Sequence, residues 1–480
     1  MPARVTGGAL KRLLDCERRL WRSEHARGSD APRGDHGDVL GEKSRTLEDQ
    51  VAATLPDLVG PVWAPGVPFA DAGAETARLL HETTHAIRRP VLMSADGGSS
   101  ATPAFLLREG AAVVVRDVRL AHHPERSRDN RVRSSFAGWL VREITGLHVT
   151  RLEIVNGLGE IVELEPLRDG ELQSLVERAR ELLGDSSEPD LLLAHSHCQD
   201  CEHYAHCWDR AEAERRIEVA PSVTRARARL LHDEGIRTFD ELAARTPDSF
   251  RHRDLRANAF LLQAEARAWS TSRPVWLKAP DLPRGRTPVW FDVEADSDGL
   301  RAPVPVYLWG LAVEQPEPRF EPLLAELTPE GDREAWARFV ARALEVFDDH
   351  PEAVWVHWHD AEPMWLDRYI TRLGAPAAFV QRIRAPGACF DLHRALDRAV
   401  RLPLRSTSIK FVARWLGFKW SNPDADAAWS TAQAHRARET RDPVERARLL
   451  AQVASYNADD LWAMRVVWNW LQEQARAQGS

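Results

Sequence analysis

Apolar and polar positions alternate in short blocks over the first two hundred residues. After an opening helical stretch, LLDCERRLW, the runs TPAFLLREG, AAVVVRDVRLA, VTRLEIVNG and GEIVELE carry the two-residue period of half-buried strands. From Asp169 the period lengthens to that of a helix, in DGELQSLVERARELLG. Strands followed by helices predict an α/β domain over residues 1–215. Residues 216–275 read as helix throughout, with a break at Gly235-Ile236-Arg237-Thr238 inside VTRARARLLHDEGIRTFDELAART. That predicts a short helical hairpin whose second helix is capped by Thr238. The Pro-rich passage SRPVWLKAPDLPRGRTP then reads as a linker. Residues 284–478 form a second α/β pattern. It consists of strands in VWFDVEAD, VPVYLWGLAV and RFEPLLAEL, a helix in DREAWARFVARALEVF, a strand in AVWVHW, and mostly helix to the end. The fold class expected is therefore α/β, multidomain.

Composition changes this picture in two respects. With 44% hydrophobic residues over 480 positions the chain has material for two or three cores, since single cores stop growing at about 250 to 300 residues. No apolar run approaches the roughly 18 residues of a membrane span, and MPARVTGGALKRLLDCERRLW lacks the apolar centre of a signal peptide. The expectation is a cytoplasmic protein with no membrane partner. A net charge of -8 excludes a uniformly basic nucleic-acid coat and leaves local patches open.

Three of the five cysteines fall in HCQDCEHYAHC, with the pattern C-x2-C-x5-C at Cys198, Cys201 and Cys207. Five cysteines are too few for a secreted disulfide framework in so long a chain, and three close thiolates make an incomplete tetrahedral site. Cys16 is the candidate fourth ligand for an iron-sulfur cluster. A zinc site completed by His197, His203 or His206, or thiols without a ligand, are the alternatives. A lone Cys in an opening helix followed about two hundred residues later by this triplet resembles the iron-sulfur RecB-like nucleases. That resemblance implies a PD-(D/E)XK-type domain at 1–215. It also implies a [4Fe-4S] cluster on Cys16, Cys198, Cys201 and Cys207 that staples the domain's ends. The chain departs from the pattern in its reactive core. Ala104 stands where the family has an acid, Asp117-Val118-Arg119 stands for D-x-K, and Glu48 matches the upstream acid loosely. A site lacking a carboxylate and the Lys binds Mg2+ poorly, so this domain is expected to be catalytically degenerate.

The second α/β region carries the stronger chemistry. Asp292 and Glu294 alternate on one strand and so share a face. Asp360 and Glu362 sit where AVWVHWHD runs into a helix, and Tyr456 and Asp460 lie one helical turn apart in ASYNADDLW. Each feature alone is common on solvated surfaces. The ordered set resembles the DEDD exonucleases of the RNase H-like superfamily, especially those RNase H-like domains fused to RecB-like ones. CFDLHRALDRAVRLPLRSTSIKFVARWLGF and YNADD extend the likeness. The resemblance implies metal ligands at Asp292, Glu294, Glu362 and Asp460, with Asp360 as the alternative to Glu362. Two Mg2+ or Mn2+ ions about 3.5 to 4 Å apart would serve phosphodiester hydrolysis, with Tyr456 orienting the attacking water. It further implies a 3'-5' exonuclease on DNA, acting in repair or recombination, and the RecB-like resemblance adds a helicase as partner. The rival expectation is a non-catalytic nucleic-acid-binding or scaffold protein with relic carboxylates.

Other residues read less sharply. The hairpin at 216–275 is similar to a helix-hairpin-helix unit offering backbone N-H groups to a phosphate, and is equally an ordinary connector. Lys410 is either a phosphate contact or a solvated cation. Some of the eighteen tryptophans offer stacking surfaces, whereas Trp415, Trp468 and Trp470 fall at core spacing. His357 and His359 are weak metal candidates beside so many carboxylates.

Overall fold

The computed structural model describes residues 4–26, 35–82, 85–121, 123–193, 198, 201–296 and 305–478. The chain divides into two compact units, residues 1–207 and 208–480.

In the first unit a mixed six-stranded sheet runs in the order Leu58–Val59, Ala86–Arg88, Phe105–Glu109, Ala112–Val118, His148–Val155, Ile161–Glu163. The blocks of alternating residues account for the last four strands. Leu106, Val113, Val115, Leu152 and Ile154 point into a core shared with the helices Gly7–Asp15, Arg128–Thr145 and Asp169–Gly184. Phe105, Val118 and Val155 turn the other way, against Leu47 and Val51 of the helix Asp35–Thr54. A smaller sheet pairs Val5–Thr6 with Ser99–Ala101, which in turn pairs with Leu92–Met93. The sequence reading did not find these strands, because two or three residues are too short to display a period.

The second unit opens with helical segments. Helices Arg225–Asp233 and Phe239–Ala243 are joined through Gly235, whose φ of +76° is a conformation that favours glycine. Thr238 caps the second helix as expected. Its hydroxyl accepts from the Glu241 N-H, and Glu241 accepts from the Thr238 N-H in return. The Pro-rich passage is not a free linker. Val275–Trp276 pairs antiparallel with Val400–Arg401, and the Trp276 ring meets Trp470 at 5.1 Å. Apolar residues within a Pro-rich run found partners that local punctuation does not reveal.

Beyond that passage a five-stranded sheet has the order Glu321–Leu324, Val306–Val313, Pro288–Ala295, Val354–His357, Cys389–Asp391. The first three run antiparallel to their neighbours and the last two parallel to Pro288–Ala295. Alternation splits the central strand. Val289 and Phe291 join a face packed with Trp309, Trp336, Phe339 and Trp355, under the helix Pro329–Asp349. Trp290 joins the opposite face, with Val354, Val356 and the residues Leu461, Met464 and Trp468 of the helix Pro443–Gln478. Trp468 is core as expected, but Trp415 is 36% exposed and meets Trp470 edge-on. The aromatic wealth of this domain thus goes chiefly into packing.

Candidate metal centre

On the central strand Asp292 and Glu294 continue the face that begins with Trp290, so the same alternation that buries the indole aims two carboxylates at the C-terminal helix. That helix answers with Tyr456, Asn457 and Asp460, which its 3.6-residue period gathers on one side. Asp292, Glu294 and Asp460 each bring an oxygen within 4.8 Å of the others, the one such set of three among the described residues. Glu294 and Asp460 are buried, and Asp292 keeps partial access to solvent. Glu362, second residue of the helix Ala361–Leu373 and 3% exposed, hydrogen-bonds with Asp292. Asp360 lies outside this cluster. It precedes the helix with its side chain exposed, 3.8 Å from both His359 and Arg394.

The carboxylates are held by neutral donors. Asn457 Nδ2 donates to Asp292 Oδ2 at 2.5 Å and reaches Glu294 Oε1 at 3.5 Å. Ser430 donates to Glu294 Oε2 at 2.8 Å and is itself 3.0 Å from the Tyr307 hydroxyl. Trp420 Nε1 donates to Asp460 Oδ1 at 2.8 Å, and the Tyr456 hydroxyl helps to lower the pKa of the same residue. Asp459, beside it, accepts from the Ser421 N-H at 2.7 Å and so fixes the segment carrying Trp420. Gly310, paired across the sheet with Asp292, makes room for this arrangement. A Cβ there would lie 1.7 Å from Asn457 Oδ1. The YNADD motif gives Asn457 no role from sequence alone, and Ser430, Trp420 and Gly310 carry no local signal, since their partners are distant in the chain.

Burial without a cation dominates the electrostatics. It pushes Asp292 and Glu294 well above the usual carboxylate range, with the charges of neighbouring carboxylates adding to the rise. Burial likewise raises Glu362 to about 8 and Asp460 to about 6, the latter held back by the Trp420 bond and by Lys410. Tyr456 is driven above its ordinary phenol value by burial and then by Asp460, Glu294 and Asp292, so its hydroxyl keeps its proton. Lys410 does not compensate the cluster directly. Its ammonium donates to the Ala425 carbonyl and lies 4.7 Å over the Tyr456 ring, and burial lowers its pKa. Glu362 Oε2 is buried with no hydrogen-bond partner among the described residues, 3.7 Å from His357. His357 itself is tied to the His359 carbonyl at 2.6 Å. Clustered carboxylate oxygens, one of them orphaned, with uncompensated charge, fit hard divalent cations.

The acids of the first unit are arranged differently. Asp117 pairs with Arg119 at 2.6 Å, and Glu48 pairs with Arg88 at 3.0 Å and Arg89 at 2.7 Å. Ala104 is buried beside them in the core that includes Phe105 and Val118. Among the cysteines, Cys201 donates its N-H to the Cys198 carbonyl at 3.0 Å, and Cys207 to that of His203. Burial raises the thiols of Cys201 and Cys207. Each also feels another cysteine, Cys201 feeling Cys207 and Cys207 feeling Cys16. His203 is buried and His206 lies 2.9 Å from Arg22, while His197 falls outside the described residues.

A mixed sheet flanked by helices, with acids converging from its central strand and from two helices, defines an α/β domain built around a cluster of carboxylates with the spacing to hold a metal ion. Residues 289–472 match a family model described as RNase H superfamily, and this C-terminal domain is RNase H-like. The match includes Asp292, Glu294, Glu362, Tyr456 and Asp460. No curated protein matches the chain significantly. No helix among the described residues is long and apolar enough to cross a membrane.

Proposed function

We propose that the C-terminal domain is a metal-dependent nuclease that digests DNA from the 3' end, in repair or recombination. The observation that carries this is the convergence of Asp292, Glu294 and Asp460, with Glu362 beside Asp292, in a largely buried set that makes no ion pair with a Lys or Arg among the described residues. Divalent cations bound there, Mg2+ or Mn2+, supply activation of a water and stabilisation of the leaving 3'-oxygen. The chain's own groups do the positioning. Asn457 and Ser430 fix the two strand carboxylates, Trp420 fixes Asp460, and Glu362 adds a fourth carboxylate with one oxygen unpartnered among the described residues. Because Tyr456 keeps its proton, it acts as a hydrogen-bond donor that orients water or phosphate oxygen, and not as a general base.

The test is a time course on 5'-labelled single-stranded DNA with Mg2+ or Mn2+. A ladder shortening from the 3' end is expected. Asp292→Ala and Asp460→Ala should each lower the rate by about 10^3-fold or more, as removal of a principal transition-state stabiliser does. Equal inertness of wild type and variants, with DNA still bound, overturns the enzyme in favour of a binding scaffold.

The same proposal assigns residues 1–215 a RecB-like fold without nuclease activity, the arginines at Asp117 and Glu48 occupying the acids. It gives the segment at 216–275 a role in holding DNA, and it assigns Cys16, Cys198, Cys201 and Cys207 a [4Fe-4S] cluster as a structural staple. Cys207 feels the charge of Cys16 across most of the first unit's sequence, although no three of these thiols lie within 4.8 Å of one another among the described residues. Anaerobically purified protein should be brown and contain iron, with both lost in Cys207→Ser. Stoichiometric zinc in colourless protein assigns the site to zinc instead. A helicase is the partner this function calls for.

A further inference from the structure

A cavity of about 270 Å3 opens in the first unit, in a different unit from the carboxylate centre and at the lower end of small-molecule site volumes. Its floor is polar. Ser100 and Ser134 line it with residue exposures of 2% and 4%, and neither hydroxyl has a hydrogen-bond partner among the described residues. Buried hydroxyls ordinarily find partners, so two left open toward one cavity mark a place for a polar ligand. Arg133 lines the same cavity and makes no hydrogen bond or ion pair with a described residue. Its side chain lies along the start of the helix Gly7–Asp15, where a Cβ on Gly7 would meet Arg133 Nε at 3.6 Å. Thr6 caps this nine-residue helix by accepting from the Ala9 N-H at 3.0 Å. Gly7 and Gly8 therefore present a first turn bare of side chains, at the end where helical N-H groups lack acceptors.

The charge balance favours an anion. Asp117 also lines the cavity, but Arg119 neutralises it at 2.6 Å. Asp117 and Asp129 both reach Arg133 electrostatically, and Lys11 and Arg119 act on Asp129 in turn, but neither acid makes an ion pair with Arg133 among the described residues. Burial and the nearby Arg119 charge both work against the Arg133 proton, a tension that a bound anion relieves. One wall of the cavity is aromatic. Trp63 is 42% exposed and stands edge-on to Phe69 at 5.6 Å. An accessible indole beside a guanidinium and open hydroxyls is the pairing that single nucleotides require, a stacking surface next to a phosphate seat.

We infer that this cavity binds a phosphate-bearing nucleotide without cleaving it, the phosphate on Arg133, Ser100, Ser134 and the Gly7–Gly8 turn, and the base against Trp63. Two sources present that chemistry, a free mononucleotide and the 5'-phosphorylated end of a nucleic-acid strand.

The test is calorimetric titration of the full chain in EDTA, which leaves the carboxylate centre without metal. The probes are inorganic phosphate, thymidine 5'-monophosphate and 5'-phosphorylated tetrathymidylate. Saturable binding of either nucleotide is expected. It should weaken about tenfold or more in Arg133→Gln, from the lost charge-assisted bonds. Trp63→Ala should weaken the nucleotides about tenfold and leave phosphate untouched. Trp63 is exposed, so this variant keeps the test sound even if Arg133→Gln folds poorly. Tighter binding of the tetranucleotide assigns the site to a strand end, and equal binding assigns it to a free nucleotide. Asp292→Ala should bind both as wild type does, which separates this inference from the nuclease reading. No binding at millimolar probe, or nucleotide binding unchanged in both Arg133→Gln and Trp63→Ala, overturns it.

Discussion

The acids of the two units sit in opposite electrostatic company. In the first, Asp117 and Glu48 each have a guanidinium within 3.0 Å. In the second, Asp292, Glu294 and Asp460 crowd within 4.8 Å of one another and are held by an amide, a hydroxyl and an indole. Neutral donors fix a carboxylate's position without cancelling its charge, whereas an arginine does both. Acidic residues on strands therefore say little about metal binding until their partners are known. A set left uncompensated on burial stores a repulsion that a divalent cation relieves, and a set already paired has nothing further to gain from one.

The contrast has a direct measurement. Mn2+ at a hundredfold excess over its Kd should stabilise the protein by on the order of 3 kcal/mol, read as a rise in Tm. Asp292→Ala should abolish that rise. Asp117→Ala frees Arg119 of its partner and is expected to lower the starting Tm, but the rise on adding Mn2+ should persist in full. A rise that survives Asp292→Ala and vanishes in Asp117→Ala would reverse the assignment of the two regions.

How far the sequence foretold this depends on the range of the interaction. Alternation in VWFDVEAD put Asp292 and Glu294 on one face, and the spacing of Tyr456 and Asp460 put those two on one side of a helix, both from local geometry alone. Thr238 was legible for the same reason, since a capping box closes within four residues. Which of Asp360 and Glu362 turns inward was not legible. Both stand at one junction, and only the packed helix decides that Glu362 is buried while Asp360 is exposed. Ser430 and Trp420 bond acids 136 and 40 residues away, and Gly310 makes room for Asn457 on a helix distant in the chain; no periodicity carries such pairings. The arginine partners of Glu48, forty and forty-one residues on, were hidden likewise.

The neutral scaffold of the centre gives a smaller effect of the same kind. Asn457→Ala removes the amide that joins Asp292 to Glu294 and should weaken Mn2+ affinity about 10- to 100-fold, the usual loss when a supporting hydrogen bond to a ligand is removed. Gly310→Ala should act in the same direction through Asn457, because the added Cβ overlaps its Oδ1. Metal titration by calorimetry on both variants checks this. If Gly310→Ala weakened binding and Asn457→Ala did not, the glycine would be serving the sheet and not the amide.

Proton linkage gives the smallest effect and the sharpest sign. Glu362 is raised from an ordinary 4.5 to about 8, chiefly by burial, and Asp460 from 3.8 to about 6. A carboxyl whose folded pKa lies above its unfolded one binds more protons when folded, so ΔG of unfolding falls as pH climbs between the two values. Metal-free protein should therefore lose stability from about pH 4.5 to 8, with the loss complete above the folded pKa. Glu362→Gln cannot ionise, and should be more stable than wild type at pH 8 in EDTA by about 1 to 2 kcal/mol, with the difference fading toward pH 5. Mn2+ should invert the order at pH 8, because the cation replaces the protons in wild type and finds one charge fewer in the variant. Urea unfolding at the two pH values, with and without Mn2+, reads all four corners of that comparison. A variant less stable than wild type in EDTA at pH 8 would mean that Glu362 is already paired in the folded protein, as Glu48 is, and would remove it from the metal centre.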